Sequence, residues 1–89
     1  MRWLDMNVIY RRKNYNIYKM GKNNFIVHNT NKKFEESHTH ISNYNAAKTV
    51  ISMSLNNTIP AHLSKYLIES IIRISTDEEY IEQLKVLLV

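Results

Sequence analysis

The 89-residue chain has no cysteine. Disulfide staples, zinc ribbons and thiol catalysis are therefore excluded. It has one glycine, Gly21, and one proline, Pro60. A phosphate-cradling loop needs several glycines for close backbone approach, so that class is excluded as well. No apolar run reaches the ~18 residues of a membrane helix. Met1–Asp5 has no apolar core of the secretory kind, so no signal peptide is expected. Enzyme signatures such as G-x-S-x-G, H-E-x-x-H and the P-loop are absent too, and no enzyme activity is expected.

What is present is ordinary globular composition, with 44% hydrophobic and 22% charged residues. A chain of this length buries only ~60–65% of its unfolded surface, enough for one modest core. One domain over 1–89 is expected, with a basic part at about 1–34 and a helical part at about 42–89. Asn, Ile, Lys and Tyr supply 11, 11, 8 and 6 residues. All four have A/T-rich codons, which points to a low-GC bacterium or its phage.

Charge is divided along the chain. Residues 1–34 carry eight basic side chains against Asp5 alone, a net +7. Residues 35–89 carry four basic and seven acidic side chains, a net −3. The basic front suits a polyanionic partner. Its candidate contact residues are Arg11, Arg12, Lys13, Lys19, Lys22, Lys32 and Lys33.

The pattern predicts an α+β fold, a small antiparallel sheet of two or three strands followed by three helices. Residues 6–10 read as a strand, and Arg11–Asn14 as a polar break. Residues 15–29 read as a β-hairpin. Its loop is Gly21-Lys22-Asn23-Asn24, where Gly and Asn accept positive φ cheaply. Phe34 to Ile41 reads as either loop or a short further strand.

Helices are predicted near 43–55, 60–74 and 77–88. Ser42 or Asn43 caps the first. Pro60 opens the second, where a missing N–H costs nothing. Thr76 and Glu79 form a capping box for the third. Around the second helix, at about 100° per residue, the apolar stripe Leu63, Leu67, Ile71 and Ile74 is joined by Ile68 and Ile72. A helix apolar on most sides must be covered on two. It is thus expected to be central or to lie at a homodimer interface through the C-terminal helices.

Three further constellations carry residue types suited to chemistry or contact. His38 and His40 point the same way in an extended segment, and Glu35, Glu36 or His62 can be drawn in beside them. Imidazoles bonding loop backbone is the favoured reading, and no metal or other cofactor is expected. Tyr10, Tyr15, Tyr18 and Phe25 suit base stacking, but alternation sends at least half of them into the core. The third helix presents Asp77, Glu78, Glu79 and Glu82, which would repel DNA and rules out a helix-turn-helix reader. Asp77, Glu78 and Glu82 form instead an alternative acidic contact surface.

The run Phe34-Glu35-Glu36-Ser37-His38-Thr39-His40-Ile41, then Ile59-Pro60-Ala61-His62-Leu63 and Tyr66–Tyr80, resembles short reading frames of phages and mobile elements in low-GC, clostridia-like bacteria. Those often have Gly where this chain has Ser37. The resemblance covers roughly residues 15–85 and brings no catalytic residue or cofactor with it. It implies a protein of the host bacterial cytoplasm that inhibits a defence nucleoprotein complex such as a CRISPR effector, in the manner of anti-CRISPR proteins. The alternative is a nucleic-acid-binding regulator using the basic hairpin. The expected partner is a host protein or ribonucleoprotein, with nucleic acid as the other candidate and no membrane.

Overall fold

The computed structural model describes residues 7–89. Met6, where the first strand was expected to open, lies outside the described residues, as do Arg2 and Asp5 of the charge count. Four strands run β1 (Asn7–Arg12), β2 (Tyr15–Gly21), β3 (Asn24–Asn29) and β4 (His38–Ile41). They pair as an antiparallel meander in the order β1-β2-β3-β4. Three helices follow, α1 (Tyr44–Asn56), α2 (Lys65–Ile74) and α3 (Glu78–Val86). The fold is thus α+β, with one strand more than the sequence predicts.

Alternation divides the sheet cleanly. Tyr15, Ile17, Phe25, Val27 and Ile41 face the helices and join Ala47, Val50, Ile51, Ile68, Ile71, Ile74, Tyr80 and Leu84 in one core. At roughly 1.5–3 kcal/mol per fully buried aliphatic side chain, this face supplies most of the driving force. α2 touches α1, α3, β3 and β4, so it is the central helix that its apolar circumference requires. Its stripe is Ile68, Ile71 and Ile74, while Tyr66 is exposed.

Several local expectations are corrected. Arg11 and Arg12 belong to β1, and only Lys13-Asn14 makes the turn. The positive φ there falls on Lys13, at 56°, and Gly21 has none. Gly21 ends β2, paired with Asn24, and the hairpin turn is Lys22-Asn23. Asn43, not Ser42, caps α1 by accepting from the Ala46 N–H at 2.9 Å. Asn57 ends α1 in the left-handed region, at φ 49°.

The second helix begins five residues after Pro60. Ser64 caps it, accepting from the Leu67 N–H at 3.2 Å. In the connection before it, the Thr58 carbonyl accepts from the Tyr80 hydroxyl at 2.7 Å. The capping box at Thr76 and Glu79 does not form. Asp77 takes the cap, its Oδ1 accepting from the Tyr80 N–H and its Oδ2 from Asn57 Nδ2. A carboxylate gains from the helix dipole as well as from the hydrogen bond, which a threonine hydroxyl cannot match.

Candidate polyanion-binding surface

In an antiparallel meander, alternate connections fall at the same end of the sheet. The β1–β2 turn and the β3–β4 connection are therefore neighbours, and the β2–β3 turn lies at the far end. Arg11, Arg12 and Lys13 are thus brought together with Lys32 and Lys33, although about 20 residues separate them in sequence. Lys19 and Lys22 lie toward the opposite end, removed by most of the length of β2, roughly 20 Å at 3.3 Å per residue. The seven residues form two groups, of five and two.

Hydrogen bonds lock the two connections of the five-residue end together. The Thr30 N–H and hydroxyl both donate to the Asn14 carbonyl, at 2.7 and 2.9 Å. Asn14 Nδ2 donates to Asn29 Oδ1 at 2.7 Å. Arg11, Arg12, Lys13, Lys32 and Lys33 are all exposed. Among the described residues the one ion pair is Lys85 with Glu82, at 3.5 Å on α3. Among the described residues the five cations are thus in no ion pair, which leaves their charge available to a partner.

The aromatic candidates go elsewhere. Tyr15 and Phe25 are core residues, and Tyr18 is 2% exposed on the other face. Tyr10 is half-buried, its ring edge-on to Tyr44 at 6.3 Å, with Lys48 Nζ 5.8 Å from its centre and 4.7 Å from that of Tyr44. None of Tyr15, Tyr18 and Phe25 can stack on a base. The contacts this surface offers are charge contacts, which suit phosphates rather than base identity.

His38 and His40 lie on the sheet face away from the helices, with His28 directly across from His38. The Phe34 carbonyl can only accept, so His38 Nδ1 carries the proton of their 2.6 Å bond. His28 Nε2 likewise donates to the Lys32 carbonyl at 3.1 Å, and its Nδ1 accepts from the Tyr18 hydroxyl at 3.4 Å. Histidines thus tie the loop bearing Lys32 and Lys33 to the sheet. The His38 ring also stacks on Phe34 at 4.2 Å. Among the described residues no three His or carboxylate side chains gather as a metal site.

Burial lowers the His28 pKa from its ordinary 6.5, and nearby His38 lowers it further. The unfolded chain then takes up a proton at a pH where native His28 stays neutral. Stability contributed by neutral His28 is present above 6.5 and is lost as pH falls through the window below it. Urea midpoints are expected to fall between about pH 7.5 and about pH 5, and to fall less in His28→Gln. An equal fall in both proteins would remove His28 from the account.

The acidic residues are not equivalent. Glu78, Glu79 and Glu82 are exposed on α3, but Asp77 is occupied as its cap. A second group of residues has no sequence signature. Asn29 is completely buried, and its Nδ2 donates to the Ile74 carbonyl at 2.9 Å. Tyr15 OH lies 2.7 Å from Ser54 Oγ, which lies 2.8 Å from Ser75 Oγ, and Ser75 donates to the Ile71 carbonyl at 2.6 Å. One consistent proton order runs Tyr15 to Ser54 to Ser75 to Ile71. Thr39 donates to Ser70 at 2.9 Å, and Ser37 donates to the Arg73 carbonyl at 3.1 Å. These hydroxyls satisfy the open carbonyls at the end of α2 and fasten it to the sheet.

No protein-family model matches the chain, and no curated protein or solved structure matches it either. No helix among the described residues is long and apolar enough to cross a membrane.

Proposed function

We propose that the protein acts by binding, without catalysis, and that the five-cation end of the sheet meets nucleic acid. The partner is a host nucleoprotein complex in the bacterial cytoplasm, such as a CRISPR effector, which the protein occupies and inhibits. The observation that carries the reading is the joining of Arg11, Arg12 and Lys13 to Lys32 and Lys33 by the Asn14, Asn29 and Thr30 hydrogen bonds. No carboxylate is ion-paired with these cations among the described residues. Glu35 and Glu36 stand exposed in the same connection, but the five cations outnumber them and give a polyanion a net attraction. The non-catalytic part is supported by the polar side chains inside the fold, which are committed to holding it together. His28 has both ring nitrogens bonded, and Ser54, Ser75 and Tyr80 are tied to neighbouring hydroxyls or carbonyls.

Capture from a host lysate, with and without nuclease, tests the proposal. A nucleoprotein complex retained in untreated lysate and weakened after nuclease supports it. Recovery of bare nucleic acid alone favours the direct regulator. A protein partner held equally in both lysates overturns the nucleic-acid contact.

A homodimer through the C-terminal helices is proposed as the assembly. On α3 and the turn after it, Val86 is 70% and Leu87 38% exposed, adjacent apolar side chains of the kind that mark a contact. Light scattering at tens of micromolar is expected to give twice the chain mass of 10.6 kDa, and a monomer would refute it.

A further inference from the structure

The sheet face away from the helices carries a row of side chains that continues the basic end. Register places Arg11, Asn16, His28 and His38 side by side across the four strands. The next row is Val8, Tyr18, Ile26 and His40. The loop with Lys32 and Lys33 is tied to this face through His28 and His38. From the other side, α2 brings Arg73 to the β4 edge, where Ser37 donates to its carbonyl. His40 is the exposed imidazole of the set, its ring 5.3 Å from that of His38. Tyr66 of α2 donates to the His40 carbonyl, fixing the backbone beneath it.

We infer that His40 and Arg73 extend the phosphate-binding surface along the β4 edge, and that His40 becomes a contact only when it is protonated, so that nucleic-acid binding takes up a proton. This rests on the nucleic-acid reading above and adds its regulation. The charged groups acting on His40 are His38 on its own strand and Arg73 on α2, and both disfavour a further positive charge. Partial burial is the largest influence and acts in the same direction, so His40 takes a proton less readily than an ordinary imidazole. The partner across from it on β3 is Ile26, which offers no charge. A phosphate laid against Arg73 and His40 supplies the missing counter-charge and reverses the balance. His28 is excluded from the role, because it is buried with both nitrogens engaged.

The probe is a fluorescein-labelled random duplex of about 20 base pairs, titrated at several salt concentrations at about pH 7.5 and about pH 5.5. Circular dichroism at both pH values confirms that each protein is folded. The wild type is expected to bind roughly three- to tenfold tighter at the lower pH. Its slope of log K against log salt should steepen there by about 0.9, one added phosphate contact. His40→Gln should lose that gain while binding normally at the higher pH. His40→Arg should show the steeper slope at both pH values, which a purely structural histidine would not produce. An acid gain as large in His40→Gln as in the wild type, or no gain in the wild type, overturns the inference alone. Failure to bind the duplex at either pH overturns it together with direct nucleic-acid contact.

Discussion

Asn29→Ala is expected to lower the unfolding free energy by about 3 kcal/mol, read from urea denaturation at neutral pH. The side chain is fully buried and works in both directions. Its Nδ2 satisfies the Ile74 carbonyl, and its Oδ1 accepts from Asn14 Nδ2 and from the Asn31 N–H at 3.0 Å. Alanine leaves the Asn31 N–H and the Asn14 amide without that acceptor. The buried Ile74 carbonyl costs about 1–3 kcal/mol when left unpaired, and the two part-buried donors add a smaller amount because water reaches them. The Tyr15 hydroxyl stands 3.3 Å from the same Ile74 carbonyl, but its single proton can turn there only by giving up the shorter bond to Ser54, so it offsets little of the loss. A domain of this size has about 4–13 kcal/mol in total, so the loss is a large share. Asn29→Asp separates donor from cavity. It keeps the acceptor and nearly the same volume, but faces the Ile74 carbonyl with an oxygen, and it should destabilise comparably. A change below about 0.5 kcal/mol in both variants would show that the network is dispensable.

That residue also marks where the sequence stops being readable. Asn29 ends a strand before a polar turn, and locally it is an unremarkable turn-former. Its burial comes from Ile74, 45 positions away. The hairpin over 15–29 and the helical second half were legible because period two and period 3.6 are local properties of the chain. β4 was open because His38-Thr39-His40-Ile41 contains a single aliphatic residue. Its strand character comes from pairing with β3 and from Thr39 meeting Ser70 in the interior. The second helix starts at Lys65 rather than Pro60 because Ser64 offers an acceptor to the Leu67 N–H, whereas Ile59, the cap of a helix opening at Pro60, has none. Helix ends are set by such competitions, which periodicity does not register.

The candidate surface was partly legible for the same reason. Arg11, Arg12 and Lys13 are adjacent in sequence, so their sharing one end of the sheet needs no fold. Alternation nonetheless turns Arg11 to the His28 face and Arg12, across from Tyr15, to the helix face. Adding Lys32 and Lys33, and setting Lys19 and Lys22 apart, requires the meander order of the strands. The acidic alternative changes as well. The capping box read from Thr76 and Glu79 gives way to Asp77 as the cap of α3, which leaves Glu79 without a capping role. A charge test on α3 must therefore spare Asp77, because its loss confuses stability with binding.

Neutralising the five-cation end is expected to have the largest functional effect. The variant is Arg11→Gln, Arg12→Gln, Lys13→Asn, Lys32→Gln and Lys33→Gln. Asn suits position 13, since the backbone there has φ 56° and Asn tolerates that region better than most residues. The backbone bonds of the loop use the Lys32 and Lys33 carbonyls, not their ammonium groups, so the fold should persist. Five exposed charge contacts at about 0.2–1 kcal/mol each sum to about 1–5 kcal/mol. Affinity for nucleic acid or for the complex carrying it should drop on the order of 100-fold. The slope of log K against log salt should flatten by up to about 4.5, at 0.9 per contact on duplex DNA. Glu78→Gln, Glu79→Gln and Glu82→Gln together should leave binding equal or tighter, because they remove only repulsion from phosphates. The opposite pair of results, with binding lost in the α3 variant and kept in the basic one, would transfer recognition to α3 and make the partner's surface cationic. Unchanged binding in both would remove charge as the driving force and leave the exposed apolar side chains Tyr66 and Val86 to carry the contact.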